Sequence, residues 1–472
     1  MTPSSPSVDS GRITRLNDLP ARDGGGYVLY WMQQSQRVED NHALAWAVQL
    51  ANERGQGVVV CFGLTASYPD ANLRHYHFML EGLRDVERRL RECGIAFVVR
   101  QGEPFEVAVQ LASDASLVVA DRGYLRHQRR WRDTVAEEAG CAVYEVETDA
   151  IVPVETVSEK QEFAARTIRK KLWHWFDRFA VDVQAEAPAE SSLDMDLAGI
   201  GLDSPDTICD DLGVNRSVQP VDELFRGGAE EARRVLRAFI DQNLPGYAQH
   251  RNQPQTDDVS HMSKYLHFGQ ISPVFVASAI LDAAVDESTD AFIEELLVRR
   301  ELAINYVFYN ENYDSWEGLP DWAKKTLAEH RGDEREYVYD EIQLVHAETH
   351  DPYWNAAMRE MRETGYMHNY MRMYWGKKIL EWTADPEEAY AVALRLNNRY
   401  FIDGRDPNSY AGVGWIFGLH DRPWQERPVF GKTRYMSASG LERKADPDAY
   451  IEKVASRAAA AAKSARPQSE SE

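Results

Sequence analysis

Residues 27–64, YVLYWMQQSQRVEDNHALAWAVQLANERGQGVVVCFGL, contain the pattern that decides the fold of the first part of the chain. Two apolar runs, Tyr27–Met32 and Gly57–Leu64, read as buried strands. Between them, Asp40 and Asn41 precede a helical pattern over residues 43–52, and both are residues that cap helix N-termini. A strand, a helix and a second strand predict a βαβ unit with parallel strands.

The same alternation continues to about residue 150. A helix over Leu73–Cys93 precedes a strand over Ile95–Arg100, and the strands Leu117–Ala120 and Cys141–Val146 flank a helix over Arg126–Ala139. We therefore expect an α/β domain over residues 26–150 with a Rossmann-like parallel sheet. Ligands of such sheets bind beyond the carboxyl ends of the strands. Neither G-x-G-x-x-G nor G-x-x-x-x-G-K-[ST] occurs, so a domain without a ligand stays an equal alternative.

The second half of the chain is helical in pattern. Residues 151–220 are mixed, rich in Asp, Ser and Pro towards their end, and read as an interdomain linker. Helix-length patterns without strand-like alternation then predict a large all-α domain over residues 221–456. The polar segments 1–25 and 457–472 are predicted to be disordered.

Charge and cysteine content limit the functional classes. The 53 Lys and Arg against 76 Asp and Glu give a net charge of −23, which argues against non-specific binding to nucleic acid or anionic membranes unless positive charge is gathered locally. Four cysteines lie far apart in the sequence, a spacing that fits neither a disulfide framework nor a metal site. We therefore expect a reducing, cytoplasmic compartment. No apolar stretch is long enough to span a membrane, and the N-terminus lacks a signal core.

Positive charge is gathered in one stretch, Asp421–Lys444. Basic side chains there alternate with aromatic ones, which suits a nucleic-acid backbone with an extruded base. A solvated surface face remains an equal interpretation. The residues concerned are Arg422, Trp424, Arg427, Lys432, Arg434, Tyr435, Arg443 and Lys444.

Two tryptophans in the helical half have an informative spacing. Trp375 and Trp382 are seven residues apart on a predicted helix, so they share nearly one face with a rise of about 10.5 Å between them. Heptad packing produces this spacing, and so does a chain of indoles along which an electron hole could hop.

Three polar clusters interrupt the helical patterns. In Tyr247–Gly269, Ser260 and Ser263 precede a helix, an arrangement that suits a phosphate group or ordinary N-capping. Leu396–Trp415 reads as a polar loop bracketed by aromatic residues, as a conjugated polar ligand would require. Glu294–Glu301 places carboxylates on an apolar helix, where each is either paired with Arg or faces a site.

Together these motifs resemble the photolyase/cryptochrome flavoproteins, and in particular the class II cyclobutane-pyrimidine-dimer photolyases. The resemblance runs from about Tyr27 to Tyr435 and is strongest in MHNYMRMYWGKKILEW and in DGRDPN with GLHD. It is also carried by YWMQQSQRVEDNHAL, YAQHRNQP, SKYLHFGQIS, EELLVRREL and GWIFGLHDRPWQERPVFGK.

The resemblance implies a fold and an activity. The family has an N-terminal α/β antenna domain, a linker and a helical domain that holds non-covalent FAD. The activity it implies is light-driven repair of cyclobutane pyrimidine dimers by electron transfer from reduced FAD to a dimer flipped out of double-stranded DNA. The expected protein is a monomer without membrane contact. The antenna pigment would be a deazaflavin, a folate or none.

The resemblance also implies roles for particular residues. The dimer would meet Glu295 and Trp415, with Asn397 near flavin N5. The FAD would contact Tyr247, Ser260, Met262, Ser263, Asn369, Arg372, Asn397, Asp403 and Asp406. Electrons would pass along Trp375, Trp354 and Trp382, and DNA would contact Arg251, Arg422, Trp424, Arg427, Lys432 and Arg434.

Two positions depart from the family pattern. Val259 replaces a Ser or Thr, so that one phosphate hydrogen bond is missing, and Arg299 replaces a Trp, so that Trp415 is the remaining large aromatic wall. The alternatives are a signalling cryptochrome, a (6-4) photoproduct lyase and a nucleic-acid-binding helical protein without flavin. For the repair function we expect positive potential at the mouth of the flavin pocket, around Arg251 and Arg422–Lys444.

Overall fold

A computed structural model describes residues 8–464 apart from 184, 284 and 285. The N-terminal part contains a six-stranded sheet in the order β1-β6-β5-β2-β3-β4. The strands are β1 (Ile13–Arg15), β2 (Tyr27–Trp31), β3 (Gly57–Leu64), β4 (Ala96–Gln101), β5 (Ala115–Asp121) and β6 (Ala142–Val146). Helices of this part and the linker are α1 (His42–Arg54), α2 (Leu73–Glu92), α3 (Pro104–Ala112), α4 (Arg126–Glu138), α5 (Val154–Val157), α6 (Ala165–Phe179) and α7 (Pro205–Leu212).

The C-terminal part is helical. Its first helices are α8 (Ala229–Gln242), α9 (Tyr247–His250), α10 (Ser263–His267), α11 (Pro273–Ala283) and α12 (Asp286–Ile293), and a π-helical segment, Glu294–Arg299, leads into α13 (Arg300–Tyr309). The remaining helices are α14 (Asp321–Glu329), α15 (Glu341–His346), α16 (Pro352–Thr364), α17 (Asn369–Trp382), α18 (Pro386–Tyr400), α19 (Pro407–Ile416), α20 (Ala438–Glu442) and α21 (Pro447–Ser464). The fold class is the predicted one.

The sheet is parallel except at one edge. Strands β2 to β6 pair in parallel. The residues of β2, β3 and β5 are all buried because helices cover both faces, whereas β4 at the edge is partly exposed. Asp121, at the end of β5, accepts hydrogen bonds from the backbone of Gln33, Gln34 and Ser35 just after β2. The loops at the carboxyl ends of β2 and β5 are thereby fixed at the point where the strand order reverses.

The N-terminal segment differs from the expected disorder. Strand β1 pairs antiparallel with β6, Ile13 opposite Val146. Buried Arg12 donates to the carbonyls of Glu147, Ala150 and Ile151. These hydrogen bonds order a polar segment that carries no hydrophobic pattern, and residues 1–7 lie outside the described part.

Two further differences concern the C-terminal half. The expected disorder from residue 457 is wrong as far as Ser464, because α21 continues through an alanine-rich stretch, and alanine has the highest helix propensity. Residues 465–472 lie outside the described part. The expected loop Leu396–Trp415 contains the C-terminal turn of α18 and most of α19, which Asp406 caps by accepting from the backbone N–H of Asn408 at 2.8 Å.

Helix α2 joins the α/β domain to the helical domain through buried polar side chains. Arg74 donates to the carbonyls of Met361 and Tyr400, and His75 Nε2 lies 2.9 Å from the carbonyl of Phe401. Gly269 has a φ of +63°, and a Cβ there would lie 1.9 Å from the carbonyl oxygen of Gln34. The two domains therefore meet in close contact beside the segment that contains Asp403.

In the part of the chain that the structure describes, no helix has both the length and the apolar character needed to cross a membrane.

Candidate functional site

The π-helical segment Glu294–Arg299 presents two carboxylates with different partners. Glu295 Oε1 accepts from Arg251 Nη2 at 2.5 Å, and both side chains are partly exposed. Arg251 also donates to the carbonyl of Ala291 at 3.2 Å, and the neighbouring carboxylate raises the pKa of its guanidinium despite partial burial. The structure thus pairs Glu295, which the resemblance assigned to the dimer, with Arg251, which it assigned to the DNA.

Glu294, next to it, is held by two other cations. Arg169 of α6 donates to both carboxylate oxygens at 2.9 and 2.7 Å, and Arg299 Nε lies 3.2 Å from Oε1. These cations keep the pKa of Glu294 below its usual value although burial acts in the opposite direction. Arg299 itself is exposed, so the position where the family pattern has a Trp carries a solvated cation.

Arg372 and Asp403 form the central ion pair of the helical domain. Arg372 Nη2 donates to the two oxygens of Asp403 at 3.0 and 3.1 Å, and its guanidinium carbon lies 3.8 Å from the ring centroid of Phe401. Arg372 and a hydrogen bond from Ser263 hold the pKa of the buried Asp403 below its usual range, against the effect of burial. Arg372 and Ser263, the latter 140 positions before Asp403 in the sequence, therefore both bind the Asp403 carboxylate.

Lys264 also belongs to this cluster, although no pattern in the sequence predicted it. Its side chain is buried, Nζ donates to the carbonyl of His261 at 3.1 Å, and it lies 3.9 Å from the ring centroid of Phe225. Burial lowers its pKa to about 7, while Asp403 acts in the opposite direction. The quoted segment SKYLHFG contains it, but nothing in that pattern distinguishes a buried lysine from a surface one.

The last turn of α18 holds the predicted amide Asn397, and the second predicted acid, Asp406, precedes α19. Asn397 is buried and donates to Asn398 Oδ1 at 3.1 Å, and the same oxygen accepts from the backbone N–H of Arg405. Asp406 Oδ2 lies 3.2 Å from His267 Nδ1. Burial acts to raise the pKa of Asp406, but interactions led by this hydrogen bond hold it below its usual value. Side-chain hydrogen bonds therefore fix the last turn of α18 and the residues just before α19.

The other residues assigned to the cofactor lie near α9 and α10. Tyr247 is buried against Phe239, and burial raises its phenol pKa to about 12. Ser260 Oγ accepts from the backbone N–H of Met262 at 3.3 Å, and Met262 is buried. Ser263 is exposed, and Asn369 is exposed at the start of α17.

The three predicted tryptophans are buried and connected. The rings of Trp354 and Trp382 are 5.6 Å apart between centroids at 68°, and Trp354 Nε1 donates to the carbonyl of Trp375 at 2.9 Å. Trp354 therefore contacts both of the others. Trp375 and Trp382 lie on one helix, α17, as expected from the helical pattern of the sequence. The geometry places Trp354 between them.

Trp415 lies between two cations. Lys377 Nζ is 5.5 Å and the Arg434 guanidinium carbon 5.3 Å from its ring centroid. Arg434 also lies 4.3 Å from the ring centroid of Trp424, and both Trp424 Nε1 and Arg434 Nε donate to Asp421 Oδ2. One cluster is therefore formed by Trp415, Trp424 and Arg434, which the resemblance had assigned to separate roles. The buried Lys377 also belongs to it and was not predicted from the sequence.

The remaining basic residues of the 421–444 stretch are exposed. Among the described residues, Arg422 and Arg427 have no carboxylate within ion-pair distance and lie against the rings of Trp424 and Tyr435. Lys432 Nζ is 3.8 Å from a Glu426 oxygen. Two guanidinium groups at this face are thus available to a phosphate backbone.

The donor set around Asp403 fits a flavin dinucleotide. Hydroxyls of Ser260 and Ser263 suit a pyrophosphate, and buried Asn397 with the Arg372–Asp403 pair suits a polar conjugated ring. The indole Nε1 of Trp375, buried on the same helix as Arg372, has no hydrogen-bond partner among the described residues. The residues present therefore fit this group.

Comparison with solved structures identifies the fold class. A class III photolyase from Agrobacterium tumefaciens superposes with a TM-score of 0.71 at 18% identity, covering 93% of this chain and 88% of that one. A cryptochrome from Synechocystis sp. PCC6803 gives 0.69 at 17% identity, covering 90% and 88%. The fold and the site thus define a protein of the photolyase/cryptochrome class.

Comparison of sequences identifies the family. Residues 28–190 match the DNA photolyase family model. The chain is 46% identical to the deoxyribodipyrimidine photo-lyase of Methanothermobacter thermautotrophicus over 95% of its length and 98% of the relative's, and 39% identical to that of Arabidopsis thaliana over 96% and 94%. The chain belongs to the deoxyribodipyrimidine photo-lyase family, which implies a flavin chromophore.

Proposed function

We propose that this protein is a deoxyribodipyrimidine photo-lyase that repairs cyclobutane pyrimidine dimers in DNA with blue light. The observation that carries this proposal is the convergence, in one helical domain, of a flavin-compatible cradle around Asp403, the Glu295–Arg251 pair and the Trp415–Arg434–Trp424 cluster. The similarity to photo-lyases over almost the whole chain supports it. The motifs favour the class II type.

When bound in its reduced form, the flavin supplies an electron under blue light; the two C–C bonds of the cyclobutane ring break and the electron returns, so there is no net oxidation. The protein's contribution is to hold the flavin and the dimer together in a pocket with little water. Tyr247, Ser260, Met262, Ser263, Asn369, Arg372, Asn397, Asp403 and Asp406 would hold the flavin.

Glu295 and Arg251 would meet the dimer and the DNA at the mouth of the pocket. In the structure Arg251 neutralises Glu295. A DNA phosphate that pairs with Arg251 would free the Glu295 carboxyl group to form hydrogen bonds with the dimer bases. Trp415 would stack on the dimer, with its orientation fixed by Lys377 and Arg434.

The DNA would bind across the exposed cationic face. Arg422, Arg427 and Lys432 would contact phosphates, and Trp424 with Arg434 would occupy the space that the flipped dimer leaves. The expected positive potential at this mouth is a local exception to the net charge of −23. We also propose that the protein acts as a cytoplasmic monomer.

We further propose that an antenna pigment, a deazaflavin or a folate, binds between the domains. A cavity at the carboxyl ends of β2 and β3 is lined by Phe62, Tyr68, Trp131 and Arg405 among others. Arg405 is buried, and its Nε and Nη1 have no hydrogen-bond partner among the described residues. An acidic aromatic ligand would satisfy them. Excitation of added pigment should sensitise flavin emission or repair, and Arg405→Met should reduce pigment binding about tenfold or more.

The test of the main proposal is repair of a duplex oligonucleotide with a single thymine dimer, beside one with a (6-4) photoproduct. We expect light-dependent conversion of the cyclobutane dimer to two thymines, and no repair of the (6-4) photoproduct. Repair of the (6-4) lesion would favour the alternative of a (6-4) photoproduct lyase. A flavoprotein that absorbs blue light but repairs neither lesion would favour a signalling cryptochrome. A colourless protein that cannot be reconstituted with FAD would contradict both flavoprotein interpretations.

A further inference from the structure

The segment that carries the two serines assigned to the flavin phosphates has little regular structure of its own. This phosphate segment, residues 254–263, runs from the turn after α9 to the first residue of α10, and the structure gives it neither helix nor strand before Ser263. His261 has a φ of +55°, in the left-handed region that is unfavourable for a residue with a Cβ. Because this strained residue directly follows Ser260, the position of the Ser260 hydroxyl depends on contacts from outside the segment.

The C-terminal helix α21 supplies such contacts. Lys453 Nζ donates to the carbonyl of Thr256 at 2.8 Å and also to the carbonyl of Pro254. Arg457 Nη2 donates to Asp257 Oδ2 at 2.5 Å. Residues four positions apart lie on one face of a helix, so a single face of α21 holds the first part of the phosphate segment.

Asp257 connects this contact with the strained residue. Its other oxygen, Oδ1, lies 3.5 Å from His261 Nε2. Burial acts to raise the pKa of Asp257, but the interactions with His261 and Arg457 hold it below its usual value. The His261 ring also packs edge-on against Tyr366 at a centroid distance of 4.8 Å. One carboxylate therefore links α21 to the residue next to Ser260.

Helix α21 is itself anchored to the core by a buried carboxylate of α16. Glu360 accepts from Tyr450 Oη at 2.7 Å and from Arg457 Nη1 at 3.4 Å. Tyr450 and Val454 pack in the hydrophobic core of the helical domain. Arg457 thus bridges a carboxylate of the core and a carboxylate of the phosphate segment. The core therefore sets the position of α21 and, through it, that of the segment.

We propose that Lys453 and Arg457 are positioning residues that hold the phosphate segment in its FAD-binding conformation and so set the rate at which FAD leaves. The proposal rests on the assignment of Ser260 and Ser263 to the phosphates in the proposed function. Non-covalent FAD leaves only when its phosphate contacts open, and opening them requires the strained segment to move away from α21. Neither cation needs to contact the cofactor.

A role of these contacts in stability alone makes a different prediction. General destabilisation would speed FAD release in proportion to the stability lost, so that changes to Arg457 and Asp257 would add. If the pair acts by holding the segment, changing the second partner breaks no further contact, and the two effects do not add.

The test is the rate of FAD release from the loaded protein, followed by the rise of flavin fluorescence after dilution. Lys453→Met and Arg457→Met each remove a charged hydrogen-bond donor and keep an unbranched side chain, and each should speed release by about 10-fold. Asp257→Asn weakens the Arg457 contact from the other side and should also speed release. The double variant Arg457→Met with Asp257→Asn should be no faster than the faster of the two single variants.

Glu452→Gln is the matched control, because Glu452 is exposed on the same helix and has no ion pair among the described residues. It should release FAD at the wild-type rate. Circular dichroism checks that each variant is folded. If Lys453→Met or Arg457→Met does not fold, Asp257→Asn in the segment itself provides the test.

A second measurement needs no variant. Coupling between two sites is reciprocal, so bound FAD must also stabilise the contacts that α21 makes. Backbone amides of residues 447–457 should therefore exchange hydrogen more slowly in the FAD-loaded than in the flavin-free protein, although no residue of α21 is assigned to the flavin.

Three results would overturn the proposal. Release at the wild-type rate in all three single variants, or equal hydrogen exchange in α21 with and without FAD, would show that α21 does not hold the segment. Faster release with additive effects in the double variant would reduce these contacts to general stability. A wild-type protein that cannot be loaded with FAD would refute the flavin site on which the proposal rests, which distinguishes this failure from the first two.

Discussion

Replacement of Asp403 by Asn tests the ion pair at the centre of the flavin cradle. In the structure both oxygens of Asp403 accept from Arg372 at 3.0 and 3.1 Å, and Ser263 adds a third hydrogen bond. Asn keeps the shape and one acceptor oxygen but removes the charge. Arg372 then remains half-buried against Phe401 without a counter-ion.

The magnitude follows from the burial of the two partners. At this separation and an effective dielectric constant of about 20, the attraction is about 5 kcal/mol before desolvation. Breaking a fully buried pair costs about 3–5 kcal/mol, and breaking an exposed one costs less than about 1 kcal/mol. The Asp403 side chain is 8% exposed and that of Arg372 25%, so the unpaired guanidinium regains part of its hydration. We therefore expect a loss of about 2 kcal/mol.

The assay is thermal unfolding of the flavin-free protein, followed by tryptophan fluorescence of the helical domain. A loss of about 2 kcal/mol should lower the midpoint by about 4–8 °C in a domain of this size. Glu387→Gln is the matched control: Glu387 pairs with Arg331 at 2.9 Å, but both side chains are about half exposed, and its loss should cost about 0.3 kcal/mol. The double variant Arg372→Met with Asp403→Asn should be less destabilised than the sum of the single variants.

The effect should also depend on pH in a definite direction. The pKa of Asp403 is lowered in the folded protein, so its pairing stabilises the fold above its unfolded pKa, about 3.9, and this stabilisation is lost as the pH falls through the lower folded value. The difference between wild type and Asp403→Asn should shrink below about pH 4. A difference that stays below about 0.5 kcal/mol at pH 7, or equals that of the control, would refute the assigned role of the pair.

Three further substitutions test the other parts of the site. Glu295→Ala should keep FAD and DNA binding and lower the repair yield per photon, because the dimer loses a hydrogen-bond partner; an unchanged yield would remove Glu295 from the reaction. Trp375→Phe should block photoreduction but not repair by chemically reduced protein, and wild-type photoreduction would contradict the tryptophan chain. Arg427→Ala should weaken binding to damaged DNA and reduce the slope of log affinity against log salt by about 1, and an unchanged slope would exclude a phosphate contact.

The sequence predicted the parallel sheet because the central strands β2, β3 and β5 are buried on both faces and therefore read as nearly continuous apolar runs. It missed β1 for the opposite reason: Ile13–Arg15 is a short, mostly exposed edge strand, ordered by pairing with β6 and by Arg12. It also missed α3, which begins at Pro104 directly after a strand. Such elements depend on long-range hydrogen bonds, which leave no periodicity in the chain.

The candidate site shows the same limit. Motif resemblance selected Ser263, Arg372 and Asp403 one by one, but only the folded chain joins them in one hydrogen-bonded group. The pairing of Glu295 with Arg251 could not be read from sequence either, because the π-helical turn that presents Glu295 follows an ordinary helical pattern. Lys264 and Lys377 are buried, although their charge alone predicts that they lie at the surface.

If the proposed function is right, light drives a cycle of electron transfer that leaves the flavin unchanged. The most direct measurement is a single-flash experiment on chemically reduced, FAD-loaded protein bound to a thymine-dimer oligonucleotide without external reductant. We expect thymines to be restored after each flash while the flavin spectrum returns to that of the reduced form, and no repair in the dark. Repair accompanied by stoichiometric oxidation of the flavin, or no repair although the flavin and the dimer are both bound, would contradict it.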